Sequence, residues 1–182
     1  MKDVTQDAAK GAAQNVEPSS ALPKNVEIQN AAIHAVGYGY ARGDIKPLGK
    51  VTHIIVHCSA TAEGRDVSAA DIDRYHRSRG FDGIGYHWVV RLDGRIEHGR
   101  NETLVGAHCR GLNHCSIGVC YVGGIDAAGR PKDTRTSAQR AALRRLLAEL
   151  RHRYPMARIY GHHDFAAKAC PCFDAAKEYA GL

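Results

Sequence analysis

Residues 52–60, THIIVHCSA, decide how the chain is to be read. Ile54, Ile55 and Val56 are three β-branched residues in succession, and they predict a buried strand over Thr52–Cys58. The strand ends on His57 and Cys58. Neighbours on a strand point to opposite faces, so these two side chains are not expected to act as a nucleophile pair.

Working outward, Ser68 precedes AADIDRYHRSRG, with Asp71 three residues on and Gly80 at the far end. That spacing predicts a capped helix from about Ala69 to Arg79, with Ile72, Tyr75 and His76 on one face. Residues 86–100, YHWVVRLDGRIEHGR, predict two strands around an Asp93-Gly94 turn. Residues 116–124, SIGVCYVGG, predict another buried strand ended by a glycine pair. Leu143, Leu146, Leu147 and Leu150 recur at helical spacing, so a second helix is expected from near Thr136 or Ser137 until just before Pro155. Residues 157–164, ARIYGHHD, then predict a last strand. Strands and helices alternate, which indicates an α/β domain: a mixed central β-sheet flanked by helices. That domain is expected over 51–182. Residues 1–50 form a polar N-terminal extension, flexible at least over the first 30 or so positions.

The formal charge of +6 favours anionic partners. Much of it lies in RAALRRLLAELRHR, residues 140–153, which reads as the solvated face of a helix. No zinc-finger spacing, helix-turn-helix pattern or aromatic-basic stripe occurs, so no nucleic-acid partner is expected. No run of about 18 apolar residues occurs either, so membrane insertion is not expected. The first 20 residues lack the apolar stretch of a secretory signal, which predicts synthesis in the cytoplasm without an ordinary export signal. The six cysteines do not form an evenly spaced framework and are expected to be free thiols. A monomer is expected.

The chemistry is concentrated in residues 161–172, GHHDFAAKACPC. Zinc accepts imidazole nitrogen and thiolate sulfur, and a catalytic zinc keeps three protein ligands with one open position. His57, His162 and Cys170 would supply such a set if the two segments met at one end of the sheet. Eleven histidines are present, and each on its own is as well read as a surface or core residue. Lys168 could stabilise charge beside the metal, and Tyr86, at the start of a strand expected to run beside that of His57, could donate a hydrogen bond. A solvated lysine and a half-buried packing tyrosine remain open for these two. Paired carboxylates and phosphate-cradling glycine loops are not found.

Together HIIVHCSAT, IGYHWVVRLDGRIEHGR, VGAHCRGLNHCSIGVCYVGG and GHHDFAAKACPCFD resemble zinc-dependent N-acetylmuramoyl-L-alanine amidases. These share their fold with peptidoglycan recognition proteins, and the likeness is to the phage amidases called lysozymes. The resemblance runs in unbroken order from about Val51 to Phe173. It implies that His57, His162 and Cys170 are zinc ligands and that Tyr86 and Lys168 are catalytic. It also implies that His108 and Asn113 line the substrate groove, while His163 and Cys172 are given no role. The implied reaction is hydrolysis of the amide between N-acetylmuramic acid and L-alanine in peptidoglycan, with Zn2+ as cofactor. An enzyme without an export signal would reach the cell wall after lysis or by non-classical export. The competing reading is a muropeptide-binding module of the same fold that does not cut; an intact ligand set speaks against it.

Overall fold

The computed structural model describes residues 46–182, so most of the expected 1–50 extension lies outside the described residues. The strand predicted at 52–58 forms as β1, His53–Cys58, with Ile54, Ile55 and Val56 fully buried. After the short β2, Thr61–Ala62, the chain enters α1, Ala69–Ser78. Ser68 caps this helix: its hydroxyl accepts from Asp71 N, and the Asp71 carboxylate accepts from Ser68 N. The reciprocal pair satisfies two N–H groups that the first turn leaves without a helical partner. Two short strands follow, β3 at Trp88–Val90 and β4 at Ile96–His98, paired antiparallel around the Asp93-Gly94 turn, where Gly94 has φ +84°. Then come β5, Ser116–Tyr121, and the short β6, Gly124–Ile125. The last elements are α2, Ser137–Arg153, β7, Arg158–Gly161, and α3, Ala175–Glu178.

The five-stranded sheet has the order β4-β3-β5-β1-β7. All neighbours are parallel except β3 and β4, which gives the mixed sheet that the alternation of elements predicts. A second, two-stranded sheet pairs β2 with β6. One strand order differs from expectation. Tyr86 precedes β3, and β3 pairs with β5, so the strand that follows Tyr86 is one removed from β1. Strand order is set by pairings between distant segments, which local patterns do not encode.

Alternation along the strands sorts the residues onto two faces. Ile54, Val56, Ile117, Val119, Trp88 and Val90 form the main core with Leu143, Leu146, Leu147 and Leu150 of α2. On the other face Val89 and Val122 pack with Ala69 and Ile72 of α1 and with Ile84. Tyr75 does not join them and is 58% exposed. The face of α1 that packs carries Ala69, Ile72 and the buried Asp73, which accepts from Ile84 N at 2.7 Å, leaving Tyr75 on the flank. As expected, Arg140, Arg144, Arg145 and Arg153 lie on the exposed side of α2.

Two buried polar groups bolt the layers together. Gln139, fully buried, donates from its side-chain amide to Val90 O at 3.1 Å and Val122 O at 2.9 Å. The same side chain accepts from Thr136 N, so it caps α2 and anchors it to the sheet at once. Arg135 has a fully buried side chain that donates to both Glu178 carboxylate oxygens at 2.8 Å and to Tyr179 Oη at 3.0 Å. A bidentate guanidinium–carboxylate pair fixes geometry as well as charge, so α3 is held to the start of α2. Replacing Gln139 with Leu takes the side-chain donor from two buried carbonyls, of which Val90 O keeps Val122 N at 2.9 Å. Urea unfolding of Gln139→Leu is expected to show a loss of about 1–3 kcal/mol.

Candidate metal centre

β1 pairs in parallel with both β5 and β7, and the register opposes Val56 to Gly161. The next residues along the two strands are His57 and His162. Parallel pairing therefore delivers both histidines to the carboxyl end of the sheet, the edge where open α/β sheets hold their ligands. The ring centroids lie 4.5 Å apart. The third member comes from the loop after β7. His163 N donates to Cys170 O at 2.7 Å, closing that loop on itself, and Tyr121 Oη donates to Pro171 O at 2.7 Å, tying it to the core. Cys170 Sγ then lies 3.8 Å from His57 Nδ1. One donor atom from each of His57, His162 and Cys170 lies within 4.8 Å of the other two.

Two features suit this trio to a metal. Burial pushes the His57 imidazole well below its ordinary pKa, helped by the positive charge of Lys168 and the neighbouring histidines; burial also lowers His162. Both rings are therefore neutral, as ligands must be. In addition, Cys58 N donates to Cys170 Sγ at 3.2 Å, which holds the sulfur beside His57. Two imidazole nitrogens and one thiolate are a donor set suited to zinc, with a fourth position left for water. The residues fit the ion that the sequence implies.

Tyr86 lies beside the trio, its ring centroid 5.1 Å from that of His57. Burial raises the phenol well above its ordinary pKa, so it stays protonated and can donate. Lys168 is exposed at the rim, close enough for its charge to act on both histidines. The structure thus brings five expected residues together. His108 and Asn113, expected in a substrate groove, have partners within the protein. His108 is only 9% exposed, and its Nδ1 sits 3.0 Å from His57 Nε2. Asn113 Oδ1 accepts from His108 N at 2.9 Å and Cys109 N at 2.8 Å. The loop between β4 and β5 folds inward here, so the histidine meets the sheet and the asparagine holds its backbone.

Sequence reasoning overlooked Gly106, Ser116 and Gly118, which surround His108. The available signal was a glycine in the interior of a strand, where it costs propensity unless something approaches closely. His163 and Cys172 also have structural work. Cys172 Sγ donates to Gly124 O at 3.2 Å, and all six cysteines are free.

Comparison with known proteins bears on this arrangement. A family model described as N-acetylmuramoyl-L-alanine amidase matches residues 47–173, which span every residue of the site. The chain belongs to the N-acetylmuramoyl-L-alanine amidase family. The endolysin of Klebsiella phage KP32 is 48% identical over 125 residues, covering 69% of this chain and 83% of that one. Among solved structures, the N-acetylmuramoyl-L-alanine amidase LysC from Clostridium intestinale superposes with a TM-score of 0.62 at 28% identity, covering 73% of this chain and 86% of that one. The complex of peptidoglycan recognition proteins LCa and LCx with tracheal cytotoxin gives a TM-score of 0.61 at 26% identity, covering 76% and 86%. The amidase fold and the match with peptidoglycan recognition proteins are those implied by the sequence. Among the described residues no helix is long and apolar enough to cross a membrane.

The buried histidines also give the amidase a pH signature. His57, His87 and His108 all have lowered native pKa values, chiefly through burial, so the unfolded chain binds more protons near pH 6 than the native state does. Stability from these groups is present above their unfolded pKa, about 6.5, and is lost as pH falls below it. Chelator-treated protein is expected to show a urea midpoint that is steady from pH 8 to 7 and declines from pH 6.5 to 5.

Proposed function

We propose that this amidase uses zinc held by His57, His162 and Cys170 to cleave the bond between the lactyl group of N-acetylmuramic acid and L-alanine, and that it lyses cell walls as an endolysin. The observation that carries the reading is the convergence of two neutral imidazoles and a cysteine sulfur within 4.8 Å at the carboxyl end of the sheet. Zinc bound there supplies Lewis acidity, lowering the pKa of water towards about 7 and polarising a carbonyl.

The chain's own residues do the rest. Tyr86 keeps its phenolic proton at neutral pH and donates it as a hydrogen bond to the substrate oxygen, where negative charge grows during attack. That bond is worth more as the charge develops, which is the condition for lowering the barrier. Lys168 brings a full positive charge to the same oxygen from the rim, where it is free to follow the substrate. Its exposure suits it also to draw an anionic stem peptide towards the site. Peptidoglycan is the partner; no nucleic acid and no second copy of the chain is required by the site.

A non-cutting muropeptide-binding module would need no intact ligand set, and here all three ligands and both proposed catalytic groups are present. Mass spectrometry of purified sacculi digested with wild type is expected to find stem peptides with a free L-alanine amine. Tyr86→Phe should retain about one zinc per chain while losing roughly 100- to 1000-fold in rate. Cys170→Ser should lose both metal and activity. Sacculi that stay intact with zinc-loaded wild type would sink the proposal.

A further inference from the structure

His57 has two ring nitrogens, and only one can face a metal. Nδ1 lies 3.8 Å from Cys170 Sγ, while Nε2 points away, 3.0 Å from His108 Nδ1. A lone pair on Nδ1 of a neutral imidazole requires the proton on Nε2. The groups behind His57 determine whether it is there.

The direction can be read from the far end. Leu112 O is a carbonyl oxygen and can only accept, so Ser116 Oγ donates to it, at 2.7 Å. The hydroxyl has one proton, now committed. Ser116 Oγ can therefore only accept along its 3.4 Å contact with His108 Nε2. This puts the proton of His108 on Nε2 and its lone pair on Nδ1. That lone pair accepts from His57 Nε2–H, leaving His57 Nδ1 bare towards Cys170. Each link has one polarity consistent with the next.

The His108 ring is buried, only 9% exposed, so both its nitrogens look to protein partners. The ring also has a fitted place. A Cβ on Gly106 would come 2.5 Å from His108 Cδ2, and one on Gly118 would come 2.6 Å from both Cδ2 and Cγ. Gly118 lies inside β5, and its backbone is not in the left-handed region. The ring is what requires glycine there. Asn113, by accepting from two successive backbone N–H groups, fixes the loop that carries the ring.

We infer that His108 is a positioning residue for the metal ligand His57: the series Leu112 O, Ser116 Oγ, His108, His57 selects the tautomer that presents Nδ1 to the ion. The inference rests on the zinc reading above and goes beyond it, because it gives a buried histidine outside the ligand set a role in metal affinity. Partners behind ligand histidines are commonly carboxylates or carbonyls, both of which can only accept. A histidine can do either, so here the direction has to be imposed by the serine and carbonyl beyond it.

The test compares two substitutions of His108 by zinc competition against a chromogenic chelator. Asn places an amide oxygen where Nδ1 was and keeps an acceptor; Leu fills similar space without one. His108→Leu is expected to lose about 10- to 100-fold in zinc affinity, and His108→Asn to stay within about threefold of wild type. Urea unfolding of the metal-free forms separates this from general damage: a packing role alone would weaken fold and affinity together in both variants. Nitrogen-15 NMR of metal-free wild type at pH 7.5 needs no substitution and should show His57 protonated on Nε2. A His57 proton on Nδ1, or equal zinc affinity in His108→Leu and wild type, would overturn the inference. Failure of wild type itself to bind zinc would instead overturn the reading on which it rests.

Discussion

The parallel pairing of β1 with β7 is the constraint on which the rest depends. Its register sets Val56 against Gly161, and so places His57 and His162 side by side although 105 positions separate them in the chain. Had the strands been antiparallel, the two histidines would lie at opposite ends of the pair. Parallel strands need a long crossover between them, and here that crossover contains most of the domain: β3, β4 and β5, and the long helix α2. The leucines of α2 cover one face of the sheet and leave the carboxyl end of the other face to polar residues. Core and site are thus two uses of one register.

At the site the recurring theme is charge withheld. Burial keeps His57 and His108 neutral and Tyr86 protonated, so three titratable groups crowd together without repelling one another. Cys170 Sγ, beside them, receives a backbone N–H from Cys58. Lys168 stays in solvent. Neutral donors inside and a mobile cation outside are suited to a reaction in which negative charge appears only transiently on the substrate.

Much of this was legible in the residues. Ile54–Val56, the Ser68/Asp71 cap, the Asp93-Gly94 turn and the leucines of α2 each announce themselves through short-range chemistry, and the elements form where those signals lie. The His57, His162 and Cys170 cluster was legible only by joining distant segments, which residue spacing left open and family resemblance supplied. What stayed hidden depends on non-local packing. The neighbour of β3 is decided by pairing across the whole domain, and the fate of Tyr75 by which face of α1 packs, the one carrying Ala69, Ile72 and Asp73. His108 was read as a groove residue through the family resemblance; the glycines that admit its ring sit 2 positions before it and 10 after it, in different elements. A glycine inside SIGVCY was the one local clue.

The division of the site along the chain has a consequence for synthesis. His57, Tyr86 and His108 are all made before α2, and the four strands β1, β3, β4 and β5 are complete once Tyr121 is in place. His162, Lys168 and Cys170 follow only after α2 and β7. A nascent chain can therefore carry four of the five strands of the sheet with one of the three proposed ligands, and no chain interrupted before residue 170 carries the full donor set. The proposed donor set is thus completed only after the strands that support it, so partial chains present a scaffold without all three donors.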